Sequence, residues 1–252
     1  MTGDLVGLEL AGGRATIALN RPEKLNALNL ELVASLAEVA HRVSLERDVE
    51  IVVVRGRGRS FCAGFDLDMF AAEGMSQEFY RRQEGGFRLL ETMDKTVIAA
   101  IHGHCLGGGV QLAAACDIRV ASRDAVMGLP AVDEGLFPGM APYRLPRLIG
   151  KGRAAALILT GEKISAEAAY RIGLVDHVVD AAKFDEELGD VAAAYRRVPR
   201  QAAVASKRLM AASYDAPFET ALRLSETLLE ECLRSPEVAR ARAAWADRSR
   251  RR

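Results

Sequence analysis

Nothing in this 252-residue chain suits it to being stapled, to spanning a bilayer or to holding a metal. Its four cysteines, Cys62, Cys105, Cys116 and Cys232, show no C-x-x-C spacing. That removes the usual redox and zinc patterns, and a chain this long needs no disulfides to hold a core, so reduced thiols are expected. The four histidines, His41, His102, His104 and His177, form no H-E-x-x-H, and no metal site is expected. Lys plus Arg equals Asp plus Glu at 34 each, so no net field draws the chain to nucleic acid. No apolar run approaches the roughly 18 residues that suggest a membrane span. The opening MTGDLVGLEL has an early acid and not the basic-then-apolar form of a signal peptide. The expectation is a soluble, cytoplasmic protein with neither membrane nor nucleic acid as partner.

Several glycine-loop chemistries are also missing. G-x-G-x-x-G fails because Gly56 and Gly58 are followed by Phe61 where a third glycine is needed. G-x-x-x-x-G-K-[ST] fails because Gly108 is followed by Gly109 and Val110, and no G-x-S-x-G marks a serine nucleophile.

What is present is a mixed pattern that changes along the chain. VGLELAGGRATIALN alternates apolar and polar residues around Gly12-Gly13 and predicts strand, turn, strand. VEIVVVRGRG and KTVIAAIHG read as buried strands, IRVAS and LVDHVV as shorter ones. LELVASLAEVAHRVSLE and RAAALILTG have helical spacing, and SAEAAYRIG opens on a serine cap. The stretch from Ala71 to Glu91 reads as helix interrupted by Gly74, Gly85 and Gly86. From about Asp185 the strands stop. PFETALRLSETLLEECLRS places Phe218, Ala221, Leu222, Leu228, Leu229, Cys232 and Leu233 on one stripe, which needs a partner surface. Ser235-Pro236 then starts a last helix through Trp245.

The feature that asks for an explanation is HGHCLGGGVQLAAACDIRVA, residues 102–121. A glycine triplet costs backbone entropy. Here it joins a strand to a helix, where unpaired N–H groups and the positive end of the helix dipole suit an oxyanion. CAGFDL, after the strand VVVRG, is a second such junction. Two junctions side by side can aim two N–H groups at one oxygen; both clusters can equally serve as tight turns.

At these residues the chain resembles the crotonase superfamily, which includes enoyl-CoA hydratases and isomerases. IALNRPEKLNALN, RSFCAGFDL, AAIHGHCLGGGVQLAAACDIRVA and LTGEKISAEAAYRIGLVDHVV carry the resemblance, and SPEVARARAAWADR is a looser match near the end. The resemblance implies an α/β fold, a spiral of ββα units over residues 1–195 with a C-terminal helical trimerisation region over 196–252, assembled as a homotrimer or dimer of trimers. It implies an acyl-CoA thioester substrate, with coenzyme A entering as part of the substrate and no permanently bound cofactor. The oxyanion donors carried over are the N–H groups of Phe65 and Gly108. Coenzyme A is expected along Lys24, Leu25, Ala27, Ala63, Asp66 and Leu67, with Trp245 on the adenine and Arg248 on a phosphate.

The chain departs from that pattern where protons are handled. The two positions at which hydratases carry glutamates are Gln111 and Ala131, and a third, acidic in some relatives, is Gly139. An amide orients water but does not exchange a proton at neutral pH. Asp133, two residues from Ala131, shares its face if the chain is extended there, and is the expected substitute acid. Ordinary hydration is therefore expected to be weak. Decarboxylation, thioester hydrolysis and acyl-CoA binding without catalysis remain alternatives.

Overall fold

The structure, a computed structural model, describes residues 5–250, with the side chains of Glu73 and residues 247–250 left out. It divides into two compact units, Met1–Ala193 and Ala194–Arg252.

The first unit is built on a six-stranded sheet. β1 (Val6–Ala11) and β2 (Arg14–Leu19) form an antiparallel hairpin with Val6 opposite Leu19. Gly12 and Gly13 turn it at φ +55° and +80°, the paired positive values of a two-residue hairpin turn that matches the strand twist. β3 (Ile51–Gly56), β4 (Thr96–Ile101), β6 (Ile118–Ser122) and β9 (His177–Val179) then add in parallel, in the order β1-β2-β3-β4-β6-β9. β3 and β4 are buried along nearly their whole length, as their unbroken β-branched and alanine runs require of strands covered on both faces. A smaller sheet of β5 (His104–Leu106), β7 (Val126–Gly128) and β8 (Lys163–Ser165), in the order β5-β7-β8, stands beside it. These three-residue strands are too short to show a period in sequence.

Helices cover the sheet. α1 (Leu30–Leu45) is capped by Asn29, whose side chain accepts from Leu32 N–H, and buries Leu32, Val33, Leu36, Ala40 and Val43. α2 (Leu67–Glu73) and α3 (Gln77–Thr92) follow β3. α3 runs unbroken through Gly85 and Gly86, contrary to the expected interruption. A β-carbon on Gly86 would stand 3.4 Å from Ala37, so α1 and α3 cross closely there and burial outweighs the glycine penalty. α4 (Gly108–Ala114) carries the glycine triplet's helix; α5 (Ala141–Ile149), α6 (Lys151–Thr160) and α7 (Ala166–Arg171) complete the layer with α8 (Phe184–Arg196). Ser165 caps α7 by accepting from Ala168 N–H.

The second unit is helical: α9 (Arg200–Ala212), α10 (Phe218–Leu233) and α11 (Pro236–Arg250). α10 packs against α9 and α11, yet of its apolar stripe only Leu228 is buried. Phe218 is 76% exposed, and Leu222, Leu229 and Leu233 are exposed as well.

Candidate functional site

Two chain segments lie side by side at one end of β3 and β4. Phe61 N–H donates to His102 O, Cys62 N–H to His104 O, and Leu106 N–H to Cys62 O, so residues 61–62 pair in parallel with β5. The pairing carries both segments to the same place: Gly64 on one strip abuts Gly107 and Gly108 on the other.

Each glycine there has its own reason. Gly64 sits at φ +99°, and a β-carbon on it would meet Leu106 O at 2.8 Å. Gly107 takes φ +50°, which favours glycine. A β-carbon on Gly108 would lie 2.6 Å from Leu28 Cδ1, and one on Gly109 2.4 Å from Cys62 O. The sequence suggested that Gly108 is bare to admit a ligand oxygen; the nearest obstacle is Leu28, a fully buried core residue. The turn at Gly107 and the packing of Gly108 on Leu28 and of Gly109 on Cys62 thus account for the triplet.

Packing leaves two backbone donors over. Phe65 N–H and Gly108 N–H donate to no acceptor among the described residues: the bridge between Leu28 and residues 64–66 uses Gly64 O and Asp66 N–H, and Gly108 is the first residue of α4. Phe65's ring is held edge-on by Phe79 at 4.9 Å and Phe70 at 5.9 Å, which fixes the backbone that carries its N–H.

Both residues line a cavity of about 310 Å³ lying wholly within the first unit. Ala63 and Leu67 line it beside them, α3 contributes Phe79, Tyr80 and Gln83, and the 130–139 segment closes the other side. Gln111, on α4, is 5% exposed and lines it too. Its Oε1 accepts from Met140 N–H at 3.0 Å, which leaves the amide NH₂ as the end free to serve the cavity. Gly139 accommodates that arrangement, since a β-carbon there would stand 2.9 Å from Gln111 Oε1.

Residues 130–134 form a single 3-10 turn, with Gly135 ending it in the left-handed conformation. Three residues per turn place i and i+3 on one face. Ala131 and Glu134 accordingly both line the cavity, whereas Val132 and Asp133 stand against Gly161, with the Asp133 carboxylate 3.3 Å from where its β-carbon would be. Asp133 was expected beside Ala131 on the assumption of an extended chain; the 3-10 turn sends it the other way. Glu134 is the only carboxylate lining the cavity among the described side chains, and it makes no ion pair among the described residues.

The other expected residues fall as follows. Lys24, Leu25 and Ala27 run next to Ala63: Ala63 N–H donates to Leu25 O, and Leu28 N–H to Gly64 O. Lys24 pairs with Asp68 at 2.5 Å on the surface, and that hydrogen bond, with the Asp68 charge, raises its pKa. Asp66 is 6% exposed, caps α2 through Asp68 and Met69 N–H, and pairs with Arg21 at 2.9 Å. Burial pushes its carboxyl up, but the Arg21 guanidinium and the two N–H donors outweigh that and hold it below the usual carboxylate range. Its side chain is thus engaged by the α2 cap and by Arg21. Trp245, on α11, is 70% exposed. The Arg248 side chain lies outside the described residues.

Gln83 and Tyr80 were missed. Gln83 is buried on the stripe Phe79-Gln83-Phe87-Leu90, and a polar residue on an apolar stripe is a readable signal. Its amide donates to Glu84, which pairs with the buried Arg144 at 2.8 Å. Burial and the Glu84 charge raise the pKa of Tyr80, against the opposing Arg144. Asn26 was missed as well: fully buried at φ +58°, it donates to Arg57 O and Ser60 O and accepts from Arg21 N–H. Cys62 sits at the junction, but burial pushes its thiol up to about 12 despite a backbone hydrogen bond at Gly64, so it is no thiolate nucleophile. Tyr143 and His104 do not line the cavity, and Arg147 stacks on the Tyr143 ring. Among the described residues no group of three or more His, Cys, Asp or Glu is placed to hold a metal, and no helix is long and apolar enough to cross a membrane.

The sequence pattern of the enoyl-CoA hydratase/isomerase family matches residues 9–251. A short-chain-enoyl-CoA hydratase of Clostridium acetobutylicum is 35% identical over 96% of this chain and 94% of its own. The solved enoyl-CoA hydratase of Bacillus anthracis superposes with a TM-score of 0.90 at 31% identity, covering 97% of this chain and 96% of that one. A Thermobifida fusca chain provisionally named an enoyl-CoA hydratase, solved in complex with CoA, superposes at 0.84 with 33% identity, covering 94% and 95%. The fold is the crotonase fold, and the chain belongs to the enoyl-CoA hydratase/isomerase family.

Proposed function

We propose that the cavity binds the acyl end of an acyl-CoA thioester and that the N–H groups of Phe65 and Gly108 hold its carbonyl oxygen. The observation that carries this reading is the pair of unused backbone donors on two abutting segments that line the cavity. Such donors stabilise the charge that develops on a thioester oxygen when it becomes an enolate, because they are already oriented and need no reorganisation. Coenzyme A runs along Lys24, Leu25, Ala27, Ala63, Asp66 and Leu67 and enters only as part of the substrate.

Ordinary syn hydration on this site is slow. It needs a base for water and an acid for the α-carbon, each contributing about 10²–10⁴ in rate. Gln111 and Ala131 supply neither, and Gln111 acts as a hydrogen-bond donor to substrate or water. Calorimetry with crotonyl-CoA, paired with a steady-state hydration assay, tests the reading. Binding with turnover at least about 100-fold below a standard hydratase is expected. No binding removes the reading, and full hydratase turnover unaffected by Gln111→Ala removes the role given to the missing acids. Binding with no turnover of any acyl-CoA favours a non-catalytic carrier, a reading supported by the occupied Gln111 Oε1.

The exposed stripe Phe218, Leu229 and Leu233 supports assembly into a homotrimer or a pair of trimers. Light scattering should give a multiple of 27.2 kDa, and a monomer would sink that part. The exposed Trp245 is the residue proposed to stack on the adenine of coenzyme A. Trp245→Ala should weaken CoA by about 1–3 kcal/mol in calorimetry, and an unchanged affinity would remove Trp245 from the site.

A further inference from the structure

We infer that Glu134 is the proton-transferring group of this site, displaced by one 3-10 turn from the position at which Ala131 stands. The inference rests on the thioester site proposed above. In the 3-10 turn 130–134 the side chains at 131 and 134 share a face, and both line the cavity. Glu134 reaches the cavity from the same face as Ala131 with a longer side chain, from one turn further along. It is the only carboxylate on the cavity wall among the described side chains, and no described cation neutralises it. The neighbouring acid, Asp133, is turned to Gly161. Gln111 has an amide in place of an acid, with its oxygen engaged by Met140 N–H. The cavity therefore holds two polarising amides, a donor amide and one carboxylate.

That set suits abstraction of a proton from the carbon next to a thioester. The α C–H bond breaks and its electron pair forms the carbon–carbon double bond of the enolate. The π pair of the thioester carbonyl moves to oxygen, facing Phe65 N–H and Gly108 N–H, and the proton goes to the Glu134 carboxylate. Return of a proton from Glu134 to carbon restores the thioester or, from an unsaturated acyl group, places the double bond elsewhere. No oxidant, reductant or co-reactant is needed. Because Glu134 is exposed, its carboxyl exchanges with solvent between turnovers, so the reaction leaves a record in deuterated water.

The experiment follows deuterium entering the α-position of butyryl-CoA in D₂O, with butyryl-CoA affinity measured by calorimetry on the same samples. Glu134→Gln is expected to keep affinity within about threefold and to lose exchange by at least about 100-fold. Ala131→Glu added to Glu134→Gln is expected to recover at least about tenfold, since it returns a carboxylate to the same face one turn back. Exchange by Glu134→Gln at the parent's rate, exchange absent from a parent that binds butyryl-CoA, or a loss confined to Asp133→Asn would each overturn the assignment while leaving the thioester site standing. A Glu134→Gln loss with no recovery in the double variant would overturn the shared-face geometry. A parent that binds no acyl-CoA would remove the thioester site and this inference together.

Discussion

The cavity has two sides built on different principles. On one side, residues 62–65 and 106–109 are fixed by backbone pairing and by glycines that lack room for a side chain or take a left-handed backbone. On the other, residues 130–139 form one short turn and a loop whose side chains are partly exposed. The first side presents main-chain N–H groups to the cavity, which substitution at most positions leaves untouched. The second presents side chains, which a single substitution changes. Ala131 and Gly139 lie on the second side, and Gln111 reaches it through the Met140 N–H.

The sharpest way to break the contrast is to add one side chain to the rigid side. Gly109→Val would drive a β-carbon into the Cys62 carbonyl, a backbone atom with nowhere to go. It should cost more than about 3 kcal/mol, the upper range for overpacking, and appear in urea unfolding or as loss of folded protein. A variant as stable as the parent would show that the two junctions are not locked together.

On the variable side the expected change is in rate and not in stability. Gln111→Glu with Ala131→Glu should raise crotonyl-CoA hydration by about 10²-fold or more, because it adds both proton groups beneath intact polarising amides. Gln111→Glu alone retains an acceptor for Met140 N–H and should gain less. No gain from the double variant, with folding and affinity preserved, would place the limiting deficit elsewhere.

A smaller effect tests how the rigid side packs on the core beside it. Gly108→Ala points a methyl at Leu28 Cδ1, a movable side-chain end, and should cost about 1–3 kcal/mol in thermal or urea unfolding. Combining it with Leu28→Ala should give less destabilisation than the sum of the two single changes, since the second removes the atom the first collides with. Strict additivity in that cycle would mean that Leu28 is not what keeps Gly108 bare.

The smallest effect concerns the support beneath the rigid side. Asp66→Asn weakens a cap and the pair with Arg21 and should cost about 1 kcal/mol at neutral pH. Asp66's folded carboxyl lies below its unfolded value, so in that window the unfolded chain binds more protons and stability rises with pH. Its contribution is complete above the unfolded aspartate value of about 3.9 and is lost as pH falls through the folded value below it. The difference between parent and Asp66→Asn in urea titrations should therefore be full at pH 7 and narrow in acid. A constant difference would assign the loss to packing alone.

Much of this was legible in the chain. The Gly12-Gly13 hairpin, the buried strands at 51–56 and 96–101, the serine cap at 165 and the strand-to-helix junction at 107–109 follow from local period and turn chemistry, which act between near neighbours. Two of the short strands of the second sheet, β5 and β8, were not legible, because three residues carry no period. Nor was α3's passage through Gly86, where contact with Ala37 outweighs propensity. Gln83 was legible in principle, as a polar residue on an apolar helical stripe.

By itself, then, the sequence determined which segments become the longer strands and most helices, that two glycine-bearing junctions exist, and that residues 111 and 131 are not acids. Those are properties of neighbours along the chain, set by backbone conformation and by the identity of each side chain. Only the tertiary structure decided that Leu28 and Cys62 keep Gly108 and Gly109 bare, that Phe65 and Gly108 retain unused N–H groups, and that Glu134 and not Asp133 faces the cavity. The first two depend on residues dozens of positions apart meeting in space. The last depends on a 3-10 turn in place of an extended chain, a one-residue difference in which side chains share a face.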